Sequence, residues 1–220
     1  RDKSFIDFVD QIKNPEEVDS TIPDGIQADL RAYQVIGYKW LKTLAKNNLG
    51  GILADDMGLG KTLQTIVYIA SCPGELNLVV CPTSLVYNWQ DEFANFAPFL
   101  RTVVVSGTPE ERKKMIEDYA NIDVIITSYP LIRRDIEVYK EINFNTMFID
   151  EAQFIKNPGS LNAKSVKKVN AIHKFALTGT PIENSLSELW SIFDYIMPHY
   201  LLSHKAFVDQ YEKPILKNED

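Results

Sequence analysis

Cysteine is scarce: Cys72 and Cys81 are the only two. They are too few and too isolated for a disulfide framework or a zinc site, and read as two reduced thiols of an intracellular protein. His173, His199 and His204 are the only histidines, and their positions offer no metal-ligand spacing. No stretch approaches the roughly 20 uninterrupted apolar residues that a membrane helix needs, so no membrane partner is expected. Internal repeats and low-complexity tracts are absent, and so is any signal-peptide apolar core behind the opening Arg1-Asp2-Lys3-Ser4. That start, with the charged stop at Asn218-Glu219-Asp220, reads as a segment of a longer protein. An excess of positive charge is lacking too. The formal net charge of −7 argues against wholesale coating of nucleic acid.

The acids are unevenly spread. Asp2, Asp7, Asp10, Glu16, Glu17, Asp19, Asp24 and Asp29 crowd the beginning, whereas from Ala152 to Ile182 there is no acid at all. Lys156, Lys164, Lys167, Lys168 and Lys174 fall inside that acid-free stretch, so a local basic surface can exist on an acidic protein. With 45% hydrophobic residues the chain has the composition of a packed domain.

Short apolar runs alternate with helical patterns, the signature of a parallel sheet covered by helices. The expected strands are 51–54, 76–81, 102–106, 123–127, 146–149 and 174–177, most of them apolar throughout, as strands buried on both faces must be. Tyr33, Ile36, Trp40, Leu41 and Leu44 recur at helical spacing, as do Leu63, Ile66, Val67 and Ala70, and Leu186, Leu189, Trp190 and Phe193. Phe5, Phe8, Val9 and Ile12 form a small amphipathic face that ends at Asn14-Pro15 and reads as a peripheral helix. The expected organisation is an N-terminal helical extension over 1–25, a main domain over 26–198, and the start of a further substructure over 199–220. Trp40, Trp89 and Trp190 lie on helical patterns and read as core.

The strongest chemical signal is Gly50-Gly51-Ile52-Leu53-Ala54-Asp55-Asp56-Met57-Gly58-Leu59-Gly60-Lys61-Thr62. An apolar strand runs through this loop into an amphipathic helix. Backbone N–H groups at a helix N-terminus converge on an anion, and glycine permits its close approach. Lys61 would reach the β- and γ-phosphates, and the Thr62 hydroxyl would bind Mg²⁺. Asp55 stands where the usual pattern opens with Gly. The second signal is Phe148-Ile149-Asp150-Glu151-Ala152-Gln153, an apolar strand ending in two carboxylates at the carboxyl edge of the sheet. There Asp150 would hold Mg²⁺, through water, and Glu151 would polarise the attacking water.

Further segments carry a family resemblance. Leu30-Arg31-Ala32-Tyr33-Gln34 resembles the adenine-recognition motif of superfamily-two helicases in the form used by Swi/Snf-type ATPases, with Arg31 and Tyr33 shaping the pocket around Gln34. Asp55–Thr62 resembles that family's motif I. Val80–Leu85 with Asn88-Trp89 and Glu92-Phe93 resembles motif Ia, and Ile126–Tyr129 resembles motif Ib. Asp150–Gln153 resembles motif II, with Gln153 where His is most common, and Leu177–Asn184 resembles motif III.

The resemblance implies an α/β, RecA-like P-loop lobe, with a mainly parallel β-sheet flanked by helices on both faces. It also implies ATP hydrolysis coupled to movement along double-stranded DNA, with Mg²⁺ as cofactor and Thr178, Gly179 and Thr180 coupling motif III to the nucleotide. The partners implied are duplex DNA, a second RecA-like lobe of the same polypeptide and a DNA-bound protein. Within the family the likeness points to bacterial helicase-like members, and so to a cytoplasmic, nucleoid-associated protein. The second lobe's motifs have no counterpart after Asn184, so the isolated chain is expected to hydrolyse ATP weakly. Thr83, Ser84, Ser128 and Tyr129 fall at strand ends, where hydroxyls can meet a phosphate backbone or simply cap helices. Lys164, Lys167 and Lys168 share one helix face and, with Lys156, form a basic strip that is either a DNA track or a solvated face. Two rivals remain: an RNA-helicase lobe, and a non-catalytic module that keeps the fold without the chemistry.

Overall fold

The computed structural model describes all residues except 1–8, 11, 14–20, 56–57, 181–184 and 218–220. Phe5, Phe8, Asn14-Pro15, Asp56, Met57 and the Pro181–Asn184 part of motif III therefore lie outside the described residues. Val9, Asp10, Ile12 and Lys13 are helical, and Ile12 packs on the core.

Six strands form one sheet: β1 (Gly51–Leu53), β2 (Asn77–Cys81), β3 (Thr102–Val104), β4 (Val124–Ser128), β5 (Asn143–Ile149) and β6 (Asn170–Leu177). Their spatial order is β1-β6-β5-β2-β4-β3, and every pairing is parallel. The helices joining them are α1 (Ala32–Lys46), α2 (Lys61–Ala70), α3 (Val86–Phe96), α4 (Pro109–Glu117), α5 (Tyr129–Arg134), α6 (Ile136–Tyr139), α7 (Leu161–Lys168) and α8 (Leu186–Ile196).

Alternation along the strands builds two cores. Val79, Cys81, Val124, Ile126, Phe148, Phe175 and Leu177 face the layer of α1, α2 and α3. Leu78, Val80, Ile125, Met147, Ile149 and Ala176 face the layer of α5, α7 and α8. Each strand is thus apolar on both sides, as the near-continuous hydrophobic runs required. Burial, then the neighbouring Asp150, pushes the Cys81 thiol up to about 12, so it remains a protonated core side chain.

Two strands are longer than their apolar runs. β5 starts at the exposed Asn143 and β6 at the exposed Asn170, and these polar beginnings pair with each other beyond the covered part of the sheet. Hydrogen bonding carries both strands past their runs of consecutive apolar residues, with Phe144 still buried in the second core and paired with Ala171. The buried face of α1 also differs from the expected one. Gln34, Tyr38, Leu41 and Leu44 point inward, Trp40 is half-buried, and Ile36 is exposed. Gln34 and Tyr38 win the inward positions because their polar ends find partners: Tyr38 OH donates to the Thr21 carbonyl at 3.0 Å, and Gln34 Oε1 accepts from Arg31 N at 2.9 Å. In α8, Trp190, Ile192, Tyr195 and Ile196 are buried, while Leu186, Leu189 and Phe193 are only partly covered.

After α8 the chain is again helical. It forms α9 (His204–Phe207), a π turn (Val208–Glu212) and α10 (Lys213–Lys217). This tail folds back on α8, where Ser187 Oγ donates to Glu212 Oε2 at 2.7 Å and the His204 ring lies 4.8 Å from that of Trp190.

Candidate nucleotide site

Because all strands are parallel, their carboxyl ends share one edge, and loops leaving that edge converge. β1 delivers the glycine loop there. Gly58 and Gly60 both have positive φ (85° and 75°), which L side chains rarely adopt. A Cβ on Gly60 would also collide with Gln34 Nε2, so the glycine lets the α1 glutamine sit against the loop. Gly60 is the N-cap of α2, and no side chain among the described residues caps that helix. Its first N–H groups therefore remain at the loop, and with the helix dipole they favour an anion. Lys61 Nζ donates to the Asp55 carbonyl at 2.6 Å, folding the lysine across its own loop. The buried Gln64 donates to Asp55 Oδ2 at 3.2 Å and braces the same loop from behind. Thr62, half-buried, follows Lys61 in the first turn of α2.

β5 delivers the two carboxylates. Asp150 N donates to the Val80 carbonyl at 2.8 Å, extending the sheet one residue past β5. Its carboxylate accepts from Trp89 Nε1 (Oδ2, 2.9 Å) and from Glu151 N (Oδ1, 2.8 Å), while Tyr129 OH donates to its carbonyl at 2.6 Å. Burial pushes the Asp150 carboxyl above the ordinary aspartate range. The Trp89 and Glu151 hydrogen bonds and the positive field of Lys61 pull the other way. The glycine loop leaves β1 and the acidic pair leaves β5 at the same carboxyl edge of the parallel sheet.

Glu151 adopts a left-handed backbone (φ 50°), a strained conformation for a residue with a Cβ. Its Oε2 accepts from Gln153 Nε2 at 2.6 Å, Gln153 Oε1 accepts from Thr178 Oγ1 at 3.2 Å, and Thr178 Oγ1 accepts from Thr180 N at 3.1 Å. Thr178 N in turn donates to the Leu53 carbonyl at 3.2 Å, at the end of β1. One hydrogen-bonded chain thus joins Glu151, Gln153 and the 178–180 turn. Gln153 supplies both a donor and an acceptor, which an amide does without any choice of tautomer.

Several expected surface residues are placed otherwise. Tyr129 is fully buried and stacked on Phe154 at 5.1 Å, and Ser128 is 1% exposed, so neither hydroxyl faces solvent. Thr83 and Ser84 are exposed, on a turn just after β2. The basic strip loses a member: Lys167 turns inward to Asp194 (2.9 Å) and over the Trp190 ring (5.0 Å). Lys164 and Lys168 stay exposed on α7, and Lys156 pairs with Glu188 at 3.5 Å. Trp89 was legible as core and as part of the motif Ia resemblance, but not as a partner of Asp150. Its signal would have been that a buried indole N–H seeks an acceptor. Arg31 is exposed at the start of α1.

Residues 33–220 match the family model for the SNF2-related domain. This chain belongs to that family. A SWI2/SNF2 ATPase core from Sulfolobus solfataricus, solved in complex with double-stranded DNA, superimposes with a TM-score of 0.83 at 40% identity; the match covers 91% of this chain and 43% of that one. The TATA-binding protein-associated factor MOT1 of Saccharomyces cerevisiae is 42% identical over 95% of this chain, which spans 12% of that protein. An ATP-dependent helicase of Mycoplasma pneumoniae is 43% identical over 84% of the chain, which spans 18% of it. The SNF2-related chain is therefore a RecA-like lobe, and it covers a small part of these relatives. The bacterial subtype expected from the sequence is not supported, because yeast and archaeal proteins match as well as the bacterial one.

Proposed function

We propose that this chain is the ATP-binding lobe of a motor that hydrolyses ATP to ADP and phosphate while moving on double-stranded DNA or displacing protein from it. The observation that carries the reading is the convergence of Lys61, the uncapped start of α2 and Asp150–Glu151 on one sheet edge, with Glu151 wired through Gln153 to Thr178. The backbone amides at Gly58–Thr62 and Lys61 would hold the phosphates, and Gln34, pressed against Gly60, would meet the base with Arg31. Asp55 shapes the loop through its carbonyl and carboxylate, and Leu59 follows in the same loop. Glu151, fixed by Gln153, would take a proton from the attacking water.

The donor set fits Mg²⁺. Thr62 and Asp150 are hard oxygen ligands, a buried carboxylate gains most from a cation, and Mg²⁺ is held by one or two protein oxygens plus substrate phosphates rather than by a full cage. Among the described residues no larger cluster of His, Cys, Asp and Glu competes for the role. When bound, Mg²⁺ supplies neutralisation of phosphate charge.

For DNA, the exposed Thr83, Ser84, Lys164 and Lys168, with Lys156, are groups that could face a phosphate backbone. Ser128 and Tyr129 would support that surface from beneath. The name of the yeast relative associates it with the TATA-binding protein, so a DNA-bound protein is the proposed cargo. No helix among the described residues is long and apolar enough to cross a membrane. We assign 26–198 to the lobe, 1–25 to an N-terminal extension, and 199–220 to a further substructure.

Calorimetry with Mg-ATP or an unhydrolysed analogue tests the site. Lys61→Ala removes a charge-assisted contact worth roughly 1.5–3 kcal/mol, so affinity should fall by about one to two decades. Equal affinities would overturn the assignment. ATPase rates of a full-length parent with duplex DNA, single strands and RNA would distinguish a duplex motor from an RNA helicase.

A further inference from the structure

We infer that Trp89 is a positioning residue of the nucleotide site, its indole N–H clamping the Asp150 carboxylate in the orientation that Mg-nucleotide requires. This rests on the ATP reading above. Trp89 lies one turn into α3, on a different element from Asp150, and is 2% exposed. Its Nε1 donates to Oδ2 at 2.9 Å, while Glu151 N holds Oδ1 at 2.8 Å. With a donor on each oxygen the carboxylate cannot rotate about its bond to Cβ without breaking one of them. Tyr129 OH fixes the same residue's backbone carbonyl at 2.6 Å. The aspartate is therefore held from three directions.

Packing alone does not account for the indole. Trp190 is buried to a similar degree, yet its Nε1 finds no hydrogen-bond partner among the described residues. This fold thus tolerates a buried tryptophan held by ring contacts. The Trp89 ring has such a contact too, with Phe93 at 6.1 Å, and a phenyl group could provide it. What only tryptophan adds is the donor, and the donor is spent on the single carboxylate that the nucleotide site needs oriented. A metal held largely by substrate and water has few protein ligands, so the orientation of each weighs more.

The test is Trp89→Phe, which keeps an aromatic ring against Phe93 and removes the N–H. Calorimetry with an unhydrolysable ATP analogue is run on this chain at increasing Mg²⁺ and in EDTA. The Mg²⁺ concentration giving half the metal-dependent gain in affinity should rise roughly tenfold, the scale of one hydrogen bond to a charged group. Affinity in EDTA should not change. A residue that served only to pack would change both or neither, and either result overturns the inference.

Lys61→Ala, measured alongside, separates the failures. If Lys61→Ala keeps full affinity, the nucleotide reading itself falls. If Lys61→Ala weakens binding and Trp89→Phe leaves the Mg²⁺ dependence untouched, only the clamp falls. Should Trp89→Phe not fold, the indole N–H resonance of Trp89 is followed in the otherwise unaltered chain, assigned with Trp40→Phe and Trp190→Phe. Asp150→Asn should shift that resonance, and an unmoved resonance overturns the clamp.

Discussion

At the scale of single residues, the proposed function divides the chemistry between groups that hold and a group that acts. Lys61, the α2 amides and Asp150 hold, whereas Glu151 sits on a strained backbone with its carboxylate tied to Gln153. Glu151→Gln should therefore spare nucleotide binding and abolish turnover in a two-lobe parent, checked by single-turnover hydrolysis beside equilibrium binding. Gln153 offers a second test. Gln153→Ala breaks the chain to Thr178 without touching phosphate or metal ligands. ATP affinity should stay within about twofold of the parent, since removing contacts away from a ligand leaves uniform binding intact, while kcat falls. A drop in affinity matching the drop in kcat would remove Gln153 from the coupling role.

At the scale of elements, α7 shows how one helix face serves two purposes. Sequence spacing put Lys164, Lys167 and Lys168 on a common face, and they do share it. Lys167, however, is close enough to α8 to pair with Asp194 and cover the Trp190 ring. Replacing Lys164 and Lys168 with Gln should flatten the slope of log duplex affinity against log salt by roughly 0.9 per contact, about 2 in all. Lys167→Gln should leave that slope alone and cost about 1 kcal/mol of stability, the scale of a partly exposed ion pair with a cation–π contact. Salt-dependent binding isotherms and chemical denaturation check the two halves. If Lys167→Gln changes the slope as Lys164→Gln does, the inward ion pair is not its working state.

At the scale of the molecule, the parallel sheet is a device for gathering strand ends, and its remote edge is locked by charge. The Arg101 guanidinium, bidentate on Asp123, holds that carboxyl below the ordinary aspartate range, with Arg101 N adding a backbone hydrogen bond. A depressed folded-state pKa contributes stability above the unfolded value of about 3.9, and that stability is lost as pH falls through the lower folded value. Arg101→Gln should therefore unfold more readily than the parent at neutral pH, and the difference should vanish in strong acid. Thermal midpoints measured from pH 7 downward check the sign. A gap that widens on acidification would contradict it.

The sequence alone carried the family motifs and the layer architecture. Glycines before Lys61-Thr62, twin acids after an apolar strand and doubly apolar strands each encode a local requirement that physics imposes within a few residues. It also carried the order of the motifs, because parallel strands with helical crossovers leave little freedom for where their ends lie. The tertiary structure decided what depends on distant partners. Trp89 became a ligand clamp, Tyr129 and Ser128 went inside, Lys167 left the basic strip, and β5 and β6 grew beyond their hydrophobic runs. In each case the deciding partner stands many residues away, Asp150 for Trp89 and Asp194 for Lys167. Spacing along one element reports which face a side chain occupies, but the group it meets there is set only when another element packs against that face.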